Sequence, residues 1–248
     1  MQLKNQFPSS PTLRWFFHRL INRITLRKTK KYSGQLWLGA FKTFEEMENY
    51  VSNSSWSIRK IDEVVPYPNK AWMAYAKKIE LPTIDYGTPL SELELERHRF
   101  LIEYCSSFKD LDTILDIGAG LNPCYFTICK TRSNAGKNLI CDAIELPGVT
   151  AFANNLYSSM SRLNYYDDYP ENKKYDIAYL GSSLHYIFDL DIFFQTMQSY
   201  STKNIIATYS PVAEESNTFF SAPFVNENLL SPNITYNLNY LKENSQIL

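Results

Sequence analysis

Residues 113–120, with the sequence TILDIGAG, constrain the fold more than any other part of the chain. A short apolar run that leads into closely spaced glycines predicts a buried strand over 113–117 followed by a tight turn. With a helix predicted from about Pro123, the turn and the helix N-terminus would both face a bound ligand. This strand–turn–helix arrangement is typical of proteins that bind a cofactor carrying a nucleoside.

Pro123 and Asp116 distinguish between two such cofactors. A dinucleotide fingerprint has a third glycine three residues after Gly120, where helix N–H groups hold a pyrophosphate. Pro123 stands there and removes a donor, which matters less for a ligand without phosphate. Asp116 suits a cationic amino-acid ligand, directly or by fixing the loop, whereas an exposed Asp that only caps the turn is the alternative. The pattern favours S-adenosylmethionine (SAM) over NAD, with the predicted cofactor residues Asp116, Gly118, Ala119 and Gly120.

Three more acidic residues follow predicted strands. Glu145 ends the second strand, at a spacing from the glycine turn that suits a carboxylate accepting hydrogen bonds from both ribose hydroxyls. Asp167 and Asp168 follow the third strand and are candidates for contact with the adenine amino group. Two adjacent acids in a tyrosine-rich turn are also an ordinary solvated turn, so both interpretations of this pair stay open.

The end of the fourth predicted strand carries the candidate catalytic residues. The sequence there is Gly-Ser-Ser-Leu-His-Tyr over 181–186, and ligands of doubly wound sheets lie at the carboxyl ends of strands. Ser182 and Ser183 are therefore predicted to contact the cofactor. His185 is a candidate general base for an acceptor hydroxyl, with Tyr186 beside it, although His185 could instead pack against the next helix.

Short apolar runs alternate with helical stretches from residue 112 onward, the pattern of a parallel α/β sheet. Further strands are predicted over 138–145, 163–166, 176–180 and 203–209, and further helices over 149–161 and 190–200. The predicted fold class is α/β with a Rossmann-like sheet. A complete sheet of this kind has seven strands, and fewer than 40 residues follow Tyr209, with 219–225 and 234–241 as possible short elements. The sheet is therefore predicted to be shortened at its C-terminal end.

The N-terminal part is predicted to be an extension that consists of a basic segment followed by helices. Eight Lys and Arg and no Asp or Glu lie within residues 1–35, and apolar side chains recur at helical spacing over 11–28. This basic segment either packs on the domain or contacts an anionic membrane or a partner over 11–31. Thr43 and Glu46 form a capping box at the start of another helix, and short and long helices are predicted over 71–78 and 91–108. The predicted domains are 1–31, a helical extension over 32–110, and a cofactor domain over 111–248.

Cysteine usage and hydropathy bear on metal binding and on the cellular compartment of the protein. The four cysteines lack C-x-x-C spacing and nearby histidines, so no metal site is predicted, and reduced thiols indicate the cytoplasm. No apolar run approaches the roughly 20 residues that span a bilayer. Binding to nucleic acid is not predicted.

Several segments together resemble a family. Residues 32–46, 115–126, 144–147 and 180–187 are similar to bacterial class I SAM-dependent methyltransferases found in surface-polysaccharide (capsule and O-antigen) biosynthesis clusters. The resemblance implies SAM as cofactor, bound through Asp116, Gly118, Gly120 and Glu145, and an acceptor that is a sugar or another small molecule. The alternative is a SAM-binding or scaffold protein with this fold that has lost turnover, which the short C-terminal part and the altered sequence after the fifth strand would explain.

Overall fold

The computed structural model describes residues 37–53, 57–58, 92–107, 111–131, 138–214, 217–223, 229–230 and 233–245. The chain divides into two compact units. One contains residues up to Glu63 together with Pro211–Leu241, and the other contains Val64–Ser210 with Lys242–Leu248. The basic segment 11–31 and the helix predicted over 71–78 lie outside the described residues, and the predicted domain boundaries stay predictions.

The regular elements follow one another along the chain. The strands are β1 (Trp37–Phe41), β2 (Ser57–Ile58), β3 (Thr113–Ile117), β4 (Ile140–Ile144), β5 (Leu163–Tyr166), β6 (Ile177–Gly181), β7 (Asn204–Thr208), β8 (Val212–Ala213), β9 (Phe219–Pro223), β10 (Leu229–Leu230) and β11 (Asn233–Asn237). The α-helices are α1 (Phe44–Ser52), α2 (Glu92–Ser107), α3 (Cys124–Thr131), α4 (Pro147–Leu156), α5 (Leu190–Ser199) and α6 (Leu238–Ser245), with a short 3₁₀ helix over Leu184–Tyr186.

The larger unit is built on a parallel sheet of five strands in the order β5-β4-β3-β6-β7. Strand β3 is central and buried on both faces, as its continuous apolar run predicted. The chain builds outward from β3 to β5 on one side and then crosses back to β6 on the other. This reversal creates a topological switch point between β3 and β6, where such sheets bind ligands at their carboxyl ends. The predicted Rossmann-like fold class is confirmed.

Apolar residues from α2, α3, α4 and the sheet form the core of this unit. Leu101, Ile114, Ile128 and Ile177 are fully buried within it. Helix α4 begins at Pro147, two residues before the predicted start, because proline at the first helical position needs no hydrogen-bond partner for its missing N–H. The sheet ends at β7, and the strands described after Ser210 belong to two other sheets.

The smaller unit contains a four-stranded sheet in the order β1-β9-β11-β8. The predicted N-cap of α1 is confirmed: Thr43 Oγ1 accepts a hydrogen bond from Glu46 N–H at 3.1 Å. The Glu46 carboxylate in turn accepts from Lys42 N–H at 2.8 Å, so the capping box closes one residue earlier than its usual form. Both contacts fix the start of the helix.

Residues 234–241, predicted as one short element, belong to two. Strand β11 ends at Asn237, whose Oδ1 accepts hydrogen bonds from the N–H groups of Asn239 and Tyr240. An asparagine side chain in this position satisfies otherwise unpaired donors and starts a helix. The strand therefore turns directly into α6.

Within the described ranges, no helix is both long and apolar enough to cross a membrane.

Candidate functional site

The glycine turn lies at the carboxyl end of β3 and is fixed by two close approaches. Gly118 has φ of +74° and Gly120 has φ of +62°, both in the left-handed region that favours glycine. Gly118 N–H donates to the carbonyl of Ile144 at the end of β4, at 2.9 Å. On the other side, a Cβ atom at position 118 would lie 2.5 Å from Ser183 Cβ. Position 118, at the switch point between β3 and β6, therefore has room for backbone atoms but not for a side chain.

Asp116 is buried beneath this turn and is not the exposed turn-capping residue of the alternative interpretation. Its side chain is only 2% exposed, and Oδ2 accepts a hydrogen bond from Cys124 N–H at 2.7 Å. Cys124 is the first residue of α3, so this carboxylate occupies the helix N-terminus. A negative charge there is stabilised by the free N–H groups and the helix dipole. Asp116 therefore fixes the loop, one of the two roles expected for it.

Glu145 holds the opposite side of the turn. The residue is half-buried at the end of β4, and its Oε1 accepts from Gly120 N–H at 2.7 Å. Its Oε2 accepts from Leu146 N–H at 3.0 Å. These two bonds hold the carboxylate beside the turn, at the carboxyl end of β4. Two carboxylates therefore flank the glycine turn, each bonded to its backbone or to the helix that follows.

Ala119 is 8% exposed and belongs to the hydrophobic core of the larger unit. Asp167 and Asp168 lie immediately after β5 and are exposed. Asp168 Oδ1 accepts from Tyr169 N–H at 2.7 Å, which is a local turn contact. The assignment of these residues to a cofactor stays a prediction.

Ser182 and Ser183 connect β6 to the same region. Ser182 is exposed, has φ of +67°, and donates its N–H to the carbonyl of Thr208 at 2.8 Å. A left-handed serine is strained, and such strain is often found at functional sites. Ser183 is buried and its Oγ donates to the carbonyl of Ile117 at the end of β3. Ser183 therefore ties the end of β6 to the end of β3.

His185 is buried next to the exposed ring of Tyr186. Their ring centroids are 4.2 Å apart, and Tyr186 is 42% exposed. Nδ1 of His185 is buried and has no hydrogen-bond partner among the described residues. Burial lowers the pKa of His185 to about 4, so the imidazole is neutral at neutral pH. A neutral ring with an unsatisfied nitrogen can accept or donate one hydrogen bond to a ligand.

Two tyrosines that the sequence analysis missed contact the glycine turn from the core side. Tyr157 hydroxyl donates to the carbonyl of Leu121 at 2.5 Å, and Tyr165 hydroxyl donates to the carbonyl of Gly120 at 3.0 Å. The two rings are stacked, with centroids 6.1 Å apart. The high tyrosine content hid this pair, since no sequence spacing relates residues 157 and 165 to the turn.

A group with metal-ligand chemistry also lies beneath the turn. One ligand atom each from Asp116, Cys124 and Cys141 falls within 4.8 Å of the others, and all three residues are buried. Burial raises the pKa of the Cys124 thiol well above its usual range, with Cys141 and Asp116 contributing. The pKa of Cys141 is also raised, since burial and the nearby carboxylates outweigh its hydrogen bond with Cys124. A metal ion would have to displace a proton from each thiol, and both pKa shifts disfavour that.

No family model and no curated protein matches the chain by sequence. Solved structures with a similar fold include methyltransferases. A glycopeptide N-methyltransferase complexed with SAM is 10% identical with a TM-score of 0.42, and the match covers 61% of this chain and 80% of that one. Coclaurine N-methyltransferase bound to N-methylheliamine and S-adenosylhomocysteine (SAH) is 14% identical with a TM-score of 0.43, covering 77% and 57%.

A third structure, the plantazolicin methyltransferase with a desmethylplantazolicin analogue and SAH, is 20% identical with a TM-score of 0.33. That match covers 43% of this chain and 41% of the other, so the chain spans less than half of that enzyme. Likeness at these identities extends no further than the fold.

Proposed function

We propose that this chain binds SAM at the carboxyl end of its parallel sheet and transfers the methyl group to a small-molecule acceptor. The observation that carries the proposal is the pair of carboxylates, Asp116 and Glu145, on the two sides of the glycine turn. The same placement argues against a dinucleotide. A pyrophosphate needs free N–H groups at the helix N-terminus, whereas Pro123 has none and Cys124 N–H already donates to Asp116.

Electrostatics favour the same ligand. Two carboxylates beside the turn repel the charges of a pyrophosphate and attract the sulfonium and ammonium groups of SAM. Asp116 is buried, where its charge is weakly screened. Glu145 would accept hydrogen bonds from the ribose hydroxyls, as its position after the second strand predicts. Asp167 or Asp168 at the end of β5 would meet the adenine end of the same ligand, as in the sequence-based expectation.

The methyl transfer itself needs mainly positioning. As the bond from the methyl carbon to the acceptor oxygen or nitrogen forms, the carbon–sulfur bond breaks and sulfur keeps the electron pair, which leaves neutral SAH. His185 would take the proton of an acceptor hydroxyl, with Tyr186 beside it. A pKa of about 4 makes His185 a weak base, yet a hydroxyl becomes strongly acidic once its oxygen bonds the methyl carbon. A weak, neutral base is therefore sufficient.

The acceptor class comes from the resemblance of residues 32–46 and 180–187 to surface-polysaccharide methyltransferases, which favours a sugar hydroxyl or amine of a glycan precursor. The basic segment 11–31 would then hold the enzyme at the inner face of the membrane, where such precursors are assembled. A SAM-binding protein without turnover is the second candidate, and the observation that favours it is a described sheet that ends at β7. Methyl transfer from labelled SAM to a panel of nucleotide sugars separates the two.

Calorimetric titration with SAM, SAH and NAD⁺ tests the cofactor. We expect the chain to bind SAM and SAH and not NAD⁺. The variant Asp116→Asn keeps an acceptor for Cys124 N–H but removes the charge, so it should weaken the binding of cationic SAM more than that of SAH. Asp142→Asn is the matched control, because Asp142 is a buried carboxylate on neighbouring β4 that bonds Asn164 and Tyr175 instead of the turn. Absence of SAM and SAH binding, or binding of NAD⁺ in their place, would refute the proposal.

A further inference from the structure

Two buried hydroxyl groups reach consecutive carbonyls of the glycine turn. Tyr157 and Tyr165 are 3% and 4% exposed, and they donate to the carbonyls of Leu121 and Gly120 respectively. Burial raises the pKa of Tyr165 far above its usual range, so its hydroxyl stays a donor at any pH at which the protein folds. Each contact joins a core side chain to the backbone segment that would face the cofactor.

The tyrosines themselves are held rigidly. Tyr157 is the C-cap residue of α4, and its ring packs against Phe126 as well as Tyr165. Asn154 on α4 accepts from Tyr165 N–H at 3.2 Å and donates to the Tyr165 carbonyl at 3.1 Å. Helix α4 thereby fixes the register of β5 beneath the turn. A donor with so little freedom loses little entropy when it forms its hydrogen bond.

The two contacts set the direction of the neighbouring N–H groups. In a trans peptide the carbonyl and the following N–H point in opposite directions. With the carbonyls of Gly120 and Leu121 directed at the tyrosines, the N–H groups of Leu121 and Asn122 point away from them. Neither N–H has an acceptor among the described residues. Two adjacent amide donors are thus left for a ligand, one residue beyond the N–H that Glu145 occupies.

We propose that Tyr157 and Tyr165 are positioning residues that orient these two amide donors towards the amino-acid part of the cofactor. The inference rests on the proposed function, and it assigns a role to residues that do not touch the ligand. The amino-acid carboxylate is the acceptor of matching charge, because charge-assisted hydrogen bonds to backbone N–H groups are stronger than neutral ones. The hydroxyls act by fixing peptide planes, so their loss should affect that part of the ligand alone.

The test compares SAH with 5′-methylthioadenosine, which shares the adenosine and thioether but lacks the amino-acid part. Tyr157→Phe, Tyr165→Phe and the double variant remove only hydroxyls. We expect the double variant to bind SAH about tenfold more weakly, from the loss of two hydrogen bonds, and to bind 5′-methylthioadenosine as the unmodified protein does. Tyr175→Phe is the matched control, since its buried hydroxyl donates to Asp142 at 2.8 Å and should change neither affinity.

Hydrogen exchange in the ligand-free protein gives a readout that needs no cofactor. The amides of residues 118–122 should exchange faster in the tyrosine variants of the turn and at an unchanged rate in Tyr175→Phe, since only the former free the peptide planes. Unchanged SAH affinity in the double variant, or an equal loss for both ligands, would overturn the inference. If the unmodified protein binds neither ligand, the proposed function fails, and unchanged exchange at the turn would then separately refute the positioning role.

Discussion

Replacing Gly118 by Ala tests whether close packing at the switch point, together with the left-handed backbone, fixes the glycine turn. Alanine meets two obstacles at this position. Its backbone would keep φ of +74°, and its Cβ would lie 2.5 Å from Ser183 Cβ and 3.1 Å from Ser183 Oγ. Ser183 has little room to retreat, because its hydroxyl is bonded to the Ile117 carbonyl and its side chain is buried.

The two obstacles contribute separable energies. A left-handed conformation costs an L-residue about 1–2 kcal/mol. Forcing an extra carbon into a closely packed site costs about 1–3 kcal/mol, because neighbouring backbone must shift. Gly118→Ala should therefore lower the free energy of unfolding by about 2–5 kcal/mol, a large part of the roughly 5–15 kcal/mol of a typical domain.

A double-mutant cycle measured by urea unfolding separates the energy of the steric clash from the energy of the left-handed backbone. Ser183→Gly removes both atoms that the new methyl group would meet, so the double variant should recover the steric share, about 1–3 kcal/mol, and leave the backbone share. If the destabilisations of the two single variants simply add, the clash contributes nothing and the steric argument is wrong. A Gly118→Ala variant as stable as the unmodified protein would refute both terms.

Three other perturbations have defined outcomes. Thr43→Ala should lower the free energy of unfolding by about 1 kcal/mol through the lost helix cap, whereas Ser52→Ala at the far end of α1 should have little effect; equal losses in urea unfolding would contradict the capping role. Burial lowers the pKa of His185 to about 4, whereas an unfolded histidine takes up its proton at about pH 6.5. Between these two pH values only the unfolded state is protonated at this residue, so the free energy of unfolding falls as the pH falls. Between pH 7 and pH 4 the free energy of unfolding, measured by denaturant titration, should fall by about 1–3 kcal/mol more in the unmodified protein than in His185→Gln. Parallel curves of stability against pH for the two proteins would refute the lowered pKa. Cys124 and Cys141 are buried free thiols, and burial raises the pKa of Cys124, so both should react with a thiol reagent only after urea is added; rapid labelling of native protein would contradict their burial.

Most of the parallel sheet could be predicted from the sequence, because its strands are short runs rich in apolar residues, and the first four are followed by glycine, acidic or serine residues. The strands predicted over 113–117 and 163–166 have the bounds found in the structure, and the other three differ by one or two residues at each end. The alternation of strands with helices was sufficient to predict that the strands are parallel, but not their order in the sheet. Local patterning of this kind reflects burial on both faces, which a single sequence records directly.

Contacts between distant parts of the chain could not be predicted in the same way. Asp116 was singled out by residue type, yet its partner, the N–H of Cys124, depends on how the turn closes. The contacts of Tyr157 and Tyr165 with the turn depend on how α4 packs against β5, which lies two strands from β3 in the sheet. A tyrosine that donates to a backbone carbonyl leaves no spacing or composition signal, so only the folded structure relates it to the site.

The smaller unit has a consequence for the order in which the chain can fold. Strand β1 pairs with β9, and Trp37 lies opposite Pro223. Strand β1 therefore cannot pair until β9, about 180 residues later in the chain, has been synthesised. The five strands of the parallel sheet all emerge from the ribosome between these partners. During synthesis, the candidate cofactor site can therefore assemble while β1 still has an unpaired edge, a pairing of high contact order that forms slowly and late. Until then, the backbone groups of β1 that later bond β9 are open to pairing with another chain.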